Sequence, residues 1–125
     1  MRTVFITGSN RGIGLEIAKQ CLARGNRVLA SCREPDNANK LCDLKKSFPH
    51  LTIYPMDVTK EKSVSEVFAR ILKEGIQVDF LFNNAGIMDW SDFSHIKTDS
   101  FRKVLEVNVV GAFIVMRRCV LCLKK

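Results

Sequence analysis

Apolar and polar positions fall in blocks along this chain, and the period changes from block to block. Thr3–Thr7 holds the short apolar run Val4-Phe5-Ile6 and predicts a first strand. From Gly12 the spacing lengthens. Ile13, Ile17, Ala18, Cys21 and Leu22 make one stripe at helical spacing, and Gly25-Asn26 supplies the stop. Arg27–Cys32 predicts a second strand, and Pro35-Asp36 opens a second helix over about Asp36–Ser47, closed by Pro49. Leu51–Met56 predicts a third strand. A helix over about Lys60–Gly75 follows, with Val64, Val67, Phe68, Ile71 and Leu72 on one face. Val78–Phe82 predicts a fourth strand, then a loop through Ile96. A long last helix runs from about Thr98 to near the terminus.

Four strands thus alternate with four helices. Strands two and four are continuous apolar runs, the pattern of parallel strands covered on both faces. Right-handed crossovers make this an α/β, doubly wound, Rossmann-like sheet in the order 3-2-1-4 with helices on both faces. The 125 residues suit one domain.

The last helix is apolar nearly all round. Phe101, Val104, Leu105, Asn108, Val109, Ala112, Met116 and Cys119 share one face, while Val107, Val110, Ile114, Val115 and Leu121 lie on the others. Such a helix is buried on more than one side. One side faces the sheet, and the other is expected to meet further chain or a second subunit, which makes a homo-oligomer through this helix an expectation. A membrane span does not fit. The apolar run Val107–Met116 is short, contains Asn108 and is followed by Arg117-Arg118.

Between the first strand and first helix lies Thr7-Gly8-Ser9-Asn10-Arg11-Gly12-Ile13-Gly14. Strand, glycine-rich turn and helix, in that order, form the setting of a phosphate-binding loop. Gly8 lets the chain leave the strand in a conformation closed to residues with a Cβ. Gly12 would let the backbone approach a pyrophosphate, and Gly14 would let the helix pack closely on the sheet. Backbone N–H groups and the positive end of the helix dipole then face the anion. The spacing Gly-x-x-x-Gly-x-Gly differs from the common Gly-x-Gly-x-x-Gly, and an ordinary tight turn before a helix is the alternative.

Charge adds little. Lys and Arg number 20 against 13 Asp and Glu, a net +7. The basic residues are scattered and not interleaved with aromatics, which disfavours a nucleic-acid partner and suits a solvated surface or a polyanionic small molecule. The five cysteines, Cys21, Cys32, Cys42, Cys119 and Cys122, suggest no disulfide framework, and Arg2-Thr3 leading straight into the first strand makes no signal peptide the expectation. A reducing, cytoplasmic setting is expected. Cys119-x-x-Cys122 stands alone on a helical pattern, so helix packing is favoured over zinc or redox chemistry, and no metal site is expected.

The loop has companions. Asp57-Val58-Thr59 follows strand three, Asn83-Asn84-Ala85-Gly86 follows strand four, and Val107-Asn108-Val109-Val110-Gly111 lies in the last helix. Together, in this order, these pieces resemble the short-chain dehydrogenase/reductase family over the whole chain. Ser9-Asn10-Arg11-Gly12-Ile13-Gly14-Leu15-Glu16 looks like its carbonyl-reductase branch, related to C-factor and sniffer. The resemblance implies that Gly8, Gly12, Ile13 and Gly14 line the cofactor phosphates, with Asn10 and Arg11 also among the cofactor-binding residues of the loop. It implies that Asp57 and Val58 contact the adenine, and that Asn84, Ala85 and Gly86 lie along the ribose next to the nicotinamide. Asn108 would be the asparagine of the family's Asn-Ser-Tyr-Lys tetrad, holding a water that links the lysine to solvent. Read locally, Asp57-Val58-Thr59 is also a turn with a cap at Thr59, and Asn83–Gly86 a strand-ending turn. Asn108 is also readable as a solvent-facing polar residue, although its place on the apolar stripe argues for a partnered amide.

The end of strand two bears on the choice of cofactor. NAD-preferring dehydrogenases usually place an acid there to hold the ribose 2′-hydroxyl. Here Cys32 is followed by Arg33, and Glu34 comes one residue beyond. A guanidinium is planar, always charged and able to donate twice to a 2′-phosphate. With Arg11 in the loop, this favours NADP(H) over NAD(H).

The family's reaction is hydride transfer between NADPH and a carbonyl or alcohol, with a small-molecule substrate bound by the full-length form. A tyrosine acts as general acid in Tyr-x-x-x-Lys, and a serine orients the carbonyl. The only tyrosine here is Tyr54, four residues before Val58. The chain therefore reads as the cofactor-binding half, stopping before strand five and the tyrosine helix, and expected to be inactive alone. His95 in the loop and Cys32 near the cofactor are weak substitutes for a proton donor. Val78–Phe82 is expected to present an unpaired apolar edge. The alternative reading is a non-enzymatic dinucleotide-binding or subunit-interaction module.

Overall fold

The computed structural model describes Met1–Lys125. Its centre is a parallel sheet of β1 (Thr3–Thr7), β2 (Arg27–Cys32), β3 (Leu51–Pro55) and β4 (Phe80–Phe82), in the order β3-β2-β1-β4. This is the order the sequence predicts. Phe5 lies opposite Leu29 on one side and Leu81 on the other, which fixes the register. Because side chains alternate along a strand, β1 supplies two cores. Phe5 points to one face, where it meets Tyr54 and Phe68 with ring centroids 6.4 Å and 4.9 Å away. Val4 and Ile6 point to the other, packed with Val28, Ala30, Leu41 and Leu51. Each large apolar side chain buried in this way contributes on the order of 1.5–3 kcal/mol of transfer free energy.

Helices α1 (Gly12–Ala23) and α2 (Asn39–Ser47) cover the Val4 and Ile6 face. Helices α3 (Glu61–Lys73) and α5 (Ala112–Cys119) cover the Phe5 face. Ala18 and Leu22 of α1 are buried as predicted, but Ile13 is 74% exposed. It sits in the first turn, beyond the sheet edge, and faces the groove described below. In α3, Val64, Val67, Phe68 and Ile71 are buried, while Leu72 is half exposed because it turns past the arc that meets the sheet.

The second helix does not begin at Asp36. A 3₁₀ turn occupies Pro35–Asn37, and Ala38 breaks it from α2 with φ −90° and ψ 63°. Ala38 is itself buried, so tertiary packing bends the chain where the local pattern reads as continuous helix.

The last helix is one rod in three parts: α4 (Thr98–Leu105), a π-helical stretch Glu106–Gly111, and α5. The arc facing the sheet holds Val107, Gly111, Ile114, Val115 and Cys119, not the face centred on Phe101, Leu105 and Val109. A helix apolar on most of its circumference gives the sequence no contrast from which to choose the buried arc. Gly111 lets this arc close: a Cβ there would lie 2.7 Å from Val58 Cγ2, in the turn after β3. Phe101, Leu105, Val109, Phe113, Met116 and Val120 remain exposed as a stripe. Asn108 is exposed too, although both ends of its amide are hydrogen-bonded to Ile87.

β4 is shorter than Val78–Phe82, and its outer edge is not wholly unpaired. The Val78 N–H donates to the Cys122 carbonyl at 2.9 Å, and the Lys124 N–H donates to the Val78 carbonyl at 2.9 Å. Val78 and Leu123 form a parallel bridge. Along Phe80–Phe82 the edge has no further strand beside it. Cys119 and Cys122 lie in the core, where burial pushes the Cys119 thiol up to about 12.

Candidate functional site

The carboxyl ends of the parallel strands converge on a groove of about 1140 Å³. Its wall at β1 is the glycine turn. Gly8 has φ +64°, and a Cβ on it would lie 2.8 Å from the Ala85 Cα. A Cβ on Gly14 would lie 2.3 Å from the Gly8 carbonyl oxygen and 2.4 Å from Asn84 Nδ2. These two glycines serve packing between the β1 turn, α1 and the chain after β4. Gly12 is different: its φ is +55°, and a Cβ there would meet nothing within 4 Å. The bare backbone borders open groove. No side chain caps the amino end of α1, so its first N–H groups are free to face a ligand.

Thr7 ties the turn to the next wall, a role the sequence reading missed. Its Oγ1 accepts the Asn84 N–H at 3.0 Å and the Ala85 N–H at 2.9 Å. Asn84 Nδ2 donates to the carbonyls of Thr7 at 3.2 Å and Gly8 at 3.0 Å. A strand-ending hydroxyl beside the first glycine was the available signal. Downstream, Ile87 donates its N–H to Asn108 Oδ1 at 2.8 Å, and Asn108 Nδ2 donates to the Ile87 carbonyl at 2.8 Å. Asn108 lies within the π-helical stretch, a distortion often found at functional positions. Ile87 takes one of the two Nδ2 hydrogens and one of the two Oδ1 lone pairs, and the rest of the amide faces solvent.

At the other end stand Cys32, Arg33 and Glu34 from the end of β2, with Asp57, Val58, Thr59 and Lys60 after β3. Asp57 Oδ1 accepts the Thr59 N–H at 3.0 Å and the Thr59 hydroxyl at 2.7 Å. Partial burial pushes the Asp57 carboxyl up. The two Thr59 hydrogen bonds, with Lys60 and Arg33 nearby, outweigh that and hold it below its ordinary value. The Thr59 hydroxyl thus serves the Asp57 turn, and Lys60 is the residue that precedes α3. The Glu34 carboxylate accepts Asn37 Nδ2 at 3.0 Å. Burial raises the Cys32 thiol, with Cys42 adding to the effect.

The groove brings together Gly8, Asn10, Arg11, Gly12, Ile13, Arg33, Asp57, Val58, Asn84, Ala85 and Gly86. Gly14 and Asn108 stand behind its walls. Asn37, Lys60, Lys103, Glu106 and Val107 also line it and were not foreseen. They reach it through the turns after β2 and β3 and through the last helix, contacts that no local motif encodes. Tyr54 is outside the groove, buried against Phe5 with Arg70 5.4 Å over its ring. His95 is exposed in the loop before α4 and is bound to Asp92.

Fold and groove define a class: a doubly wound α/β protein with a glycine turn opening onto the carboxyl edge of its sheet. A family model described as short chain dehydrogenase matches residues 2–125, and the chain belongs to that family. It is 32% identical over 126 residues to the uncharacterized oxidoreductase YxjF of Bacillus subtilis, covering 99% of this chain and 49% of that protein. It is 31% identical over 116 residues to human retinol dehydrogenase 13, covering 90% of this chain and 34% of that protein. Among solved structures it is similar to the NADPH-bound carbonyl reductase from chicken fatty liver, with a TM-score of 0.91 at 29% identity, covering 98% of this chain and 51% of that one. The chain therefore spans about half the length of the proteins it matches most fully. Members of the family are oxidoreductases that bind nicotinamide dinucleotides. No helix is long and apolar enough to cross a membrane.

Proposed function

We propose that this chain is the NADP(H)-binding part of a short-chain dehydrogenase/reductase, and that the whole enzyme transfers hydride between NADPH and a small carbonyl or alcohol. One observation carries the reading. The groove combines uncapped α1 N–H groups, an open approach at Gly12, and Arg11 and Arg33 without an ion-pair partner. That donor set fits a bound dinucleotide. The bare turn at Gly12 and the first turn of α1 hold the pyrophosphate. Arg33 and Arg11 grip a 2′-phosphate on the adenosine ribose. Asp57 and Val58 border the adenine, and Asn84, Ala85 and Gly86 line the ribose next to the nicotinamide.

Bound nicotinamide supplies the hydride. The chain's own residues bind and orient it, and neither Tyr54 nor Cys32 is placed to give the matching proton. Tyr54 is locked in the core, and Cys32 is a buried thiol raised by its surroundings. We therefore assign no turnover to this chain alone, with Asn108 as its single contribution to the family tetrad. A single domain over residues 1–125 and a reducing, cytoplasmic setting complete the proposal, the latter in keeping with five free cysteines.

Calorimetric titration of the 125-residue chain tests this. NADPH binds about tenfold or more tightly than NADH, in line with a charge-assisted, bidentate contact, and Arg33→Asp removes or reverses the gap. Equal affinities in the unmodified chain overturn the cofactor assignment. Carbonyl-dependent NADPH oxidation above background overturns the assignment of no turnover. A second reading, a subunit-interaction module without chemistry, draws on the exposed stripe of α4 and α5. Co-purification with a full-length relative, without nucleotide binding, would favour it.

A further inference from the structure

Four cations line the groove: Arg11, Arg33, Lys60 and Lys103. None forms an ion pair, since the salt bridges of the chain join Arg2 to Asp79, Lys46 to Asp43, Arg70 to Glu74 and His95 to Asp92. Three acids share the lining, Glu34, Asp57 and Glu106. Glu34 is hydrogen-bonded to Asn37. Glu106 belongs to the last helix, one turn from Lys103. Asp57 shares with Glu34 the end where β2 and β3 finish, and the Arg33 charge acts on its carboxyl.

That position poses an electrostatic problem. Asp57 is held ionised by Thr59, and its charge opposes any dianionic phosphate placed beside Arg33. The Arg33 guanidinium is then shared between the phosphate and the carboxylate. Lys60 changes the balance. It lies beyond the Asp57 turn, on the far side from Arg33 in sequence, and its charge acts on the Asp57 carboxyl as that of Arg33 does. Its backbone is fixed. The Lys60 N–H donates to the Asp57 carbonyl at 3.1 Å, its φ of −111° and ψ of 108° are extended, and its own carbonyl accepts the Val64 N–H at 3.1 Å to start α3. Lys60 is therefore carried by a rigid turn at the groove wall.

We propose that Lys60 is a third selector of the 2′-phosphate, acting with Arg33 and Arg11: it offsets the Asp57 charge and biases the groove toward adenosine bearing that phosphate over adenosine with a free 2′-hydroxyl. The inference rests on the NADP(H) reading of the groove. It assigns to Lys60 selectivity by charge, without the fork geometry that Arg33 brings. The effect is accordingly smaller than that of Arg33 and is screened by salt.

The test uses two probes that differ only in the phosphate, adenosine 2′,5′-bisphosphate and adenosine 5′-monophosphate. Each is titrated calorimetrically into the full chain and into Lys60→Gln, Lys60→Arg and Lys73→Gln. Lys73 ends α3 away from the groove and controls for net charge. Lys60→Gln weakens the bisphosphate about 3- to 5-fold and leaves the monophosphate within about 2-fold, the size expected of an exposed charge contact. Lys60→Arg restores the bisphosphate, and added salt narrows the gap. Equal losses on both probes, no loss on either, or the same loss in Lys73→Gln overturns the proposal while the NADP(H) reading stands. An unmodified chain that binds both probes equally overturns the NADP(H) reading itself, and the role of Lys60 with it.

Discussion

Asn108 and Ile87 hold each other by a reciprocal pair of hydrogen bonds, each 2.8 Å long, between the π-helical stretch of the last helix and the chain after β4. Gly86 leaves room for the approach, since a Cβ there would lie 3.2 Å from Asn108 Oδ1, a tight contact. The pair joins two segments far apart in sequence and sets where the groove ends.

Replacing Asn108 by Ala removes both bonds and leaves the Ile87 N–H and carbonyl to solvent. A loss of about 1–2 kcal/mol in unfolding free energy is expected, from two neutral hydrogen bonds each of modest net value. Hydrogen exchange at the Ile87 amide should rise well above that at the β1 amides. Unchanged protection at Ile87 would show that other contacts hold the segment.

Gly12 and Gly14 should separate binding from folding. Gly14→Ala forces a methyl against the Gly8 carbonyl and Asn84, and overpacking of this kind costs about 1–3 kcal/mol or more. Gly12→Ala meets no atom, so its effect on stability is limited to the strain of a positive φ, about 1 kcal/mol. It places the methyl in the open groove, and NADPH binding should fall more than Tm does. Melting curves with and without NADPH distinguish the two, and identical behaviour of both variants would sink the distinction.

Asp89 should make the chain sensitive to acid. Its carboxylate accepts hydrogen bonds from Ser100 first and Ser91 second, which pull it from 3.8 down to about 2. The folded value lies below the unfolded one, so the unfolded chain binds protons first. The stabilisation is therefore complete above about pH 4 and is lost as pH falls toward 2. Thermal melts of Asp89→Asn should be flatter than those of the unmodified chain across that interval. Parallel curves would remove Asp89 as the cause.

The stripe Phe101, Leu105, Val109, Phe113, Met116 and Val120 should drive self-association. Phe113→Glu places a charge at its middle and is expected to weaken the association at least about tenfold. Sedimentation velocity over a range of concentrations reads this directly. A monomer at every concentration in the unmodified chain would reject the stripe as an interface.

The chain's own order of residues determined the sheet topology and most of the groove. Alternating periods from Thr3 to Phe82 specify parallel strands and crossovers, and Gly8, Gly12 and Gly14 act through local backbone geometry that needs no distant partner to be recognised. Arg33 and Asp57 follow strands that must end on the same side of a parallel sheet, so their meeting is implied by topology alone. Tertiary structure decided the rest. It chose the buried arc of the last helix through the contact of Gly111 with Val58, broke the second helix at Ala38, and paired the Val78 end of β4 with Leu123. It also assigned Thr7, Asn108 and Lys60 their neighbours. Periodicity records which side chains avoid water. It does not record which of several apolar arcs finds a complementary surface, nor which distant backbone groups a hydroxyl, amide or ammonium will meet.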